Sequence, residues 1–192
     1  MGSALSNIAE LYLSFAGIFS RPHQEVAGHL EELIDLWWEE IPGGKVYIEE
    51  IEEFCRKFPS ASRRVDVLWE HYIPLFEVGD VEAAPYASVH VSDHGLILGK
   101  EAELVREFYQ ACGYEVSAEG KELPDHLAVE LEFLALLARD SRTKERIDFE
   151  EKHLRIFLAK LLPLIIERKR SIYSSAAKLL ELWQLNLEGK DD

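Results

Sequence analysis

Asparagine and methionine are nearly missing from this chain of 192 residues, cysteine occurs only twice, and cations are far outnumbered by anions. Cys55 and Cys112 lie in separate helical patterns with no paired spacing. That excludes a zinc ribbon or a thioredoxin-like site and predicts reduced, partly buried thiols. With 21 Lys and Arg against 36 Asp and Glu, the formal net charge is -15. Nucleic-acid backbones and anionic membrane surfaces repel such a chain, so no nucleic acid is expected as a partner and cationic partners are favoured. Stable membrane insertion is not expected either: no apolar run approaches the roughly 20 residues a spanning helix needs. Even Leu161-Leu162-Pro163-Leu164-Ile165-Ile166 is short, contains proline and is flanked by Lys160 and Glu167. The early Glu10, with no basic start and no small-residue cleavage pattern, does not read as an export signal, which predicts a cytoplasmic location. Asn only at Asn7 and Asn186, with abundant Glu, Lys, Arg and Leu, suits a heat-tolerant source.

What is present is helical rhythm. Apolar residues at three- and four-residue spacing run from Leu5 to Phe19 and again from Val26 to Trp38, the first run ending at Arg21-Pro22 and the second at Pro42-Gly43-Gly44. A third helix is predicted from Val46 to Phe58. A fourth is capped by Ser60 or Ser62 and carries Val65 to Phe76, with Pro74 as a bend or end. The rhythm fails between Gly79 and Gly99, where Tyr86, Val89, Val91 and Leu96 to Leu98 suggest extended chain or a short hairpin around Asp93-His94-Gly95. Helices then follow from Ala102 to Cys112 with Gly113 as cap, from Pro124 to Ala138, from Asp148 to Glu167 and from Ser171 to Leu187. The Pro124 helix bears apolar residues on two faces, including Leu136, and should sit centrally. With no repeat, no low-complexity linker and no alternation of strands with helices, the fold class is all-α. Residues 1–192 are expected to form a single-domain helical bundle with one irregular or short extended segment near residues 79–99.

Four ordered blocks carry the chemistry. Tyr72-x-x-Leu75-Phe76 offers apolar side chains to a groove, although core packing explains Leu75 and Phe76 at least as well; Tyr72 can present its hydroxyl at a rim. Pro85-Tyr86-Ala87-Ser88 reads as a turn. Leu123-Pro124-Asp125-His126-Leu127 puts a carboxylate and an imidazole at a helix start, beside free backbone N–H groups. The plain alternative is that Asp125 caps its own helix while His126 hydrogen-bonds a neighbouring loop. Phe149-x-x-x-His153-Leu154-x-x-Phe157 follows on a later helix. Gly95-Leu96-Ile97-Leu98-Gly99-Lys100 is no phosphate loop, being one residue short between its glycines and followed by Glu101 where Ser or Thr is needed. No His-Glu-x-x-His, Gly-x-Ser-x-Gly or cysteine cluster anchors zinc or serine hydrolysis.

In this order the blocks resemble the cytoplasmic redox-enzyme maturation chaperones of the TorD and DmsD type, with NarJ as a more distant relative. The departures are Tyr72 where many members carry tryptophan, Ala87 where glycine often precedes the serine, and Phe157 in a tryptophan position. The resemblance implies a binding protein that is not an enzyme and uses no cofactor. Its partner would be an apo-molybdoenzyme of the dimethyl-sulfoxide-reductase class, held by its twin-arginine signal peptide until the molybdopterin is inserted. Tyr72, Leu75, Phe76, Pro85, Tyr86, Ser88, Pro124, Asp125 and His126 are the residues it nominates for client contact, and a homodimer formed by helix exchange is compatible with it. Two other readings stand beside this one. A NarJ-like assembly factor would serve a non-exported nitrate-reductase-type subunit. A metal-dependent helical hydrolase would use His90, Asp93 and His94 if that segment folded back on itself.

Overall fold

Proline, glycine and capping residues divide the helical rhythm into eleven α-helices in the computed structural model, which describes residues 2–78, 81, 83–92, 95–117, 122–169 and 171–188. In chain order these are α1 (Gly2–Phe19), α2 (Gln24–Gly28), α3 (Leu30–Glu40), α4 (Lys45–Lys57), α5 (Ala61–Tyr72), α6 (Ala87–Val91), α7 (Lys100–Ala111), α8 (Leu127–Arg139), α9 (Thr143–Phe149), α10 (Arg155–Arg168) and α11 (Ser171–Glu188). Two π-helical turns, Ile73–Glu77 and Glu150–Leu154, follow α5 and α9. No strand occurs among the described residues; one isolated antiparallel bridge joins Tyr86 and His126. No helix among them is long and apolar enough to cross a membrane. The chain forms two compact units, Met1–Phe19 with Ala84–Leu161 and Ser20–Ala83 with Leu162–Asp192.

In the first unit α1 packs along α8. Tyr12, Phe15 and Phe19 of α1 and Leu127, Leu131 and Leu134 of α8 are fully buried, and each such side chain contributes about 1.5–3 kcal/mol by leaving water. Phe108, Tyr109, Phe133 and Phe149 add an aromatic cluster, with Tyr109 and Phe133 centroids 4.3 Å apart and Phe133 and Phe149 5.0 Å apart. The two-faced pattern of α8 is matched by burial on both faces, except that Leu136 is exposed. A charged group sits inside this unit: Arg146 donates to Glu150 at 2.5 Å, one turn on, and the hydroxyl of Tyr12 donates to the same carboxylate oxygen. The expected start of the Asp148 helix is corrected to Thr143, and its first part passes into the π-helical turn Glu150–Leu154 before α10.

In the second unit α4 packs on α11 and on α3, and α2 packs on α5. The predicted helix from Val26 to Trp38 is broken at His29, whose N–H reaches both Glu25 and Val26 carbonyls at 3.2 Å. The buried guanidinium of Arg64 sits at the break: it donates to the Ala27 carbonyl at 2.9 Å and to the Phe58 carbonyl at 2.7 Å, and pairs with Glu31. Ser60 caps α5 by accepting the Arg63 N–H at 3.3 Å. Pro74 has no N–H to give, and the chain closes the turn after α5 through a wider bond, from Val78 N–H to the Ile73 carbonyl at 3.1 Å.

Burial pushes the Cys55 thiol up to about 11. At pH 7.5 its thiolate fraction is then roughly 100-fold below that of a thiol at the ordinary value of 9.0. Alkylation of Cys55 by iodoacetamide in the folded protein is expected to be slower than that of a model thiol by at least this factor, and mass spectrometry of a time course reads it directly. Alkylation at the model rate would show that the helix exposes its thiol.

Candidate functional site

Six of the nominated residues converge in the first unit, on the loop before α6 and the turn before α8. Ala87 N–H donates to the Asp125 carbonyl at 2.9 Å, and Leu127 N–H to the Pro85 carbonyl at 2.8 Å. These two bonds are the Tyr86–His126 bridge, across which the two rings meet edge to face at 5.2 Å. Asp125 is fully buried, and its Oδ2 accepts the Ser88 N–H at 2.8 Å. The carboxylate therefore satisfies a free donor in the first turn of α6, a helix that the sequence reading did not anticipate in this segment. Pro124 and Asp125 lie in a turn, and α8 begins only at Leu127. Its N-cap is His126, whose Nδ1 accepts the Ala128 N–H at 3.1 Å. The acceptor role leaves Nδ1 unprotonated and puts the ring proton on Nε2. The roles foreseen for the plain alternative are thus exchanged: histidine caps its own helix, and aspartate reaches across to the neighbouring one.

Tyr72, Leu75 and Phe76 belong to the other unit. All three are buried, and Tyr72 and Phe76 stack with Tyr173 at 6.0 and 5.5 Å. The rim position expected for Tyr72 is corrected by its 1% exposure. Its place on α5, facing α11 aromatics, makes it part of the core.

Beside the Pro124 turn the first unit has an open groove of about 480 Å³, lined by Tyr109, Tyr114, Val116 and Pro124, by Glu115 and Glu122, and by one cation, Arg106. Tyr109 hydroxyl donates to the Pro124 carbonyl at 2.9 Å and so anchors the turn. Tyr86 hydroxyl lies 3.4 Å from Glu122. Leu96, Ile97 and Leu98 stand exposed between α6 and α7, with Leu98 in the left-handed region at φ 61°. The segment rejected as a phosphate loop is an aliphatic ridge.

Sequence reasoning passed over Glu130. Both oxygens of this fully buried side chain find no protein hydrogen-bond partner among the described residues. Burial, followed by the neighbouring charges of Asp125 and Glu101, holds its carboxyl well above the usual carboxylate range. An acid between Val129 and Leu131 in a strongly apolar helix was the available signal. Glu101 in turn meets His153 Nδ1 at 2.7 Å. In the folded protein Glu130 keeps its proton at pH values where the unfolded chain has lost it. Its contribution to stability is therefore complete below the unfolded value near 4.5 and is lost as pH rises toward the folded value, at about 1.4 kcal/mol per pH unit. Glu130→Gln is expected to gain in melting temperature over the parent as pH goes from 5 to 8, and parallel thermal melts decide it. A constant difference across that range would mean that Glu130 titrates normally.

His90 donates from Nε2 to the Ala84 carbonyl at 2.7 Å, and burial lowers its basicity. Asp93 and His94, its partners in the hydrolase reading, lie outside the described residues. No group of three or more His, Cys, Asp or Glu side chains among the described residues is arranged to hold a metal ion.

The family model of the nitrate reductase delta subunit matches residues 45–163, a span that takes in every block from Tyr72 to Phe157. The chain belongs to this family. Among its relatives are TorD chaperones: that of the classical Ogawa strain of Vibrio cholerae is 36% identical over 125 residues, 56% of this chain and 54% of the relative. The TorD of the El Tor Inaba strain is 28% identical over 89% of this chain and 86% of its own length, and that of Shewanella oneidensis is 30% identical over 63% and 60%. The match thus spans about half the length of the first of these relatives and most of the second. A crystal structure of an Archaeoglobus fulgidus protein assigned to redox enzyme maturation superposes with a TM-score of 0.59 at 24% identity, covering 93% of this chain and 92% of that one. This likeness bears on the family fold alone.

Proposed function

We propose that the chain is a cytoplasmic maturation chaperone for a molybdopterin-containing oxidoreductase of the dimethyl-sulfoxide-reductase class. It binds the apo-enzyme, and the twin-arginine signal peptide the enzyme carries, until the cofactor is inserted. The observation that supports this most is the groove at the Pro124 turn, where two carboxylates, Glu115 and Glu122, stand beside Tyr109, Tyr114 and Pro124. A twin-arginine peptide is cationic and then apolar, so its receptor needs negative potential next to an aromatic or aliphatic surface. Glu115 and Glu122 meet the guanidinium groups, while Asp125, fully buried, holds the turn in shape from inside. Pro85, Tyr86, Ser88, Pro124 and His126 act through the same turn. The work is done by binding, and no covalent step by the chain is involved.

Fluorescence anisotropy of a labelled twin-arginine signal peptide tests this reading. Saturable binding is expected, weakened about tenfold or more by the pair Glu115→Lys and Glu122→Lys and by raised salt, in line with lost charge pairing at a partly exposed site. Absence of binding to any twin-arginine peptide would remove the signal from the proposal. It would favour the second reading, suggested by the family model's own description: an assembly factor for a non-exported nitrate-reductase-type subunit. Co-purification with an apo-subunit that lacks an export signal is the expected result in that case.

A further inference from the structure

The second unit contains an open cavity of about 690 Å³ lined by α4, α5, the end of α10 and the start of α11. Its volume is that of a small-molecule pocket. Phe54, Phe58 and Ile172 give it an apolar interior, and Lys57, Lys169 and Lys178 stand along its lining. In a chain of net charge -15 a cavity lined by three lysines and two glutamates, Glu50 and Glu53, carries a small positive excess against the overall sign. The charges in the lining are not equivalent. Lys178 is paired with Glu181 at 2.9 Å, Glu50 accepts the Ser175 hydroxyl at 2.5 Å, and Glu53 is paired with Arg56 at 2.8 Å. Lys57 and Lys169 have no carboxylate partner among the described residues, and Lys57 Nζ lies 5.3 Å over the Phe58 ring. Glu53 and Lys178 are each matched by a neighbouring opposite charge, whereas Glu50 keeps its charge under the Ser175 hydrogen bond, so Lys57 and Lys169 leave the lining one cation in excess, beside aromatic surface.

We propose that this cavity binds a small amphipathic organic anion, with an aromatic or aliphatic body against Phe54, Phe58 and Ile172 and a carboxylate, sulfonate or phosphate head between Lys57 and Lys169. The inference is independent of the client-binding reading, because every lining residue belongs to the second unit and none to the Pro124 turn. A helix C-terminus attracts lysine without any ligand, and Lys57 and Lys169 both follow that preference at the ends of α4 and α10. The test must therefore separate anion binding from helix stabilisation.

Lys169 makes the separation feasible. Its φ of 49° is left-handed, a conformation that glycine adopts without strain, so Lys169→Gly removes the ammonium and keeps or improves the fold. The probe is 8-anilino-1-naphthalenesulfonate, with the uncharged N-phenyl-1-naphthylamine as its neutral counterpart, each titrated into the full chain by fluorescence. The sulfonate is expected to bind with one site per chain and to lose affinity about tenfold in the Lys57→Glu, Lys169→Gly double variant, the size set by two exposed charge contacts and one reversed charge. The neutral dye is expected to change by less than about twofold in the same variant. Thermal melts establish that the variant is folded. Sulfonate binding that is unchanged in the folded double variant would overturn the proposal, since the dye would then sit elsewhere. Parallel losses for both dyes would overturn it too, because the lysines would then be shaping the cavity instead of reading charge. If the double variant does not fold, the same comparison is made with Lys169→Gly alone, where about a threefold selective loss is expected and no selective loss sinks the proposal.

Discussion

Arg146→Ala is expected to destabilise the protein by about 3–5 kcal/mol, because it takes the nearer of two cations, and the fully buried one, from a carboxylate inside the first unit. Arg146 and Glu150 are both essentially without solvent exposure, and the pair is closed further by the Tyr12 hydroxyl and by Arg155 at 3.6 Å. Burial pushes the Glu150 carboxyl up more strongly than Arg146 pulls it down. Without Arg146 the acid holds its proton to still higher pH, while the unfolded chain releases it near 4.5. Stability of the variant should then fall as pH rises, so the loss is larger at pH 8 than at pH 5. Removing both charges together tells the pair from its surroundings. The Arg146→Met, Glu150→Gln double variant keeps an acceptor for Tyr12 and is expected to recover most of the loss, since two buried neutral groups need no compensation. Urea denaturation of both variants at the two pH values provides the measurement. A double variant no more stable than Arg146→Ala would mean that the arginine acts by packing alone.

A second large effect is expected at a residue that the sequence nominated for binding. Tyr72→Ala should cost about 3–5 kcal/mol, as truncation of a buried aromatic does, since Tyr72 stacks with Trp69 at 5.5 Å, Phe76 at 4.9 Å and Tyr173 at 6.0 Å. Tyr72→Phe keeps the ring and should cost no more than about 1.5 kcal/mol for the hydroxyl. Signal-peptide affinity measured on the folded Tyr72→Phe protein is expected to match the parent. Wild-type stability in Tyr72→Ala, together with lost peptide binding, would return this tyrosine to a groove.

The two large effects mark the boundary of what could be read from residues in order. α1, α4, α7 and α11 lie where three- and four-residue spacing puts them, and Ser60 and Gly113 act as the caps their chemistry suggests. These features depend on neighbours in sequence. Each departure involves a distant residue. The helix from Val26 splits at a turn where Arg64, far along the chain, donates to the Ala27 carbonyl. The segment before Gly99 contains α6 because Asp125 satisfies its first turn from another loop. Tyr72 is buried because Tyr173 arrives on α11.

The candidate site divides in the same way. The motif Pro124-Asp125-His126 was visible as a helix start, and its ordered company with Pro85-Tyr86-Ala87-Ser88 was enough for the family resemblance that the matching family model bears out. That the two motifs are hydrogen-bonded to one another was not visible, and neither was the exchange of capping roles between Asp125 and His126. Glu115, Glu122 and Glu130 carry the same side chain; the apolar neighbours of Glu130 hint at burial, but only the fold shows that two of the three border a groove while the third is sealed in α8 with a retained proton.

By itself the sequence determined the helical class, the acidic surface and the order of the family's blocks, because periodicity, charge and spacing are sums over local residues. Only the tertiary structure decided which carboxylates are open and which are buried, and which aromatic rings are core. Burial and hydrogen-bond partners are set by chain segments that meet only after folding, and they govern both the charge a side chain carries and the partners it has left.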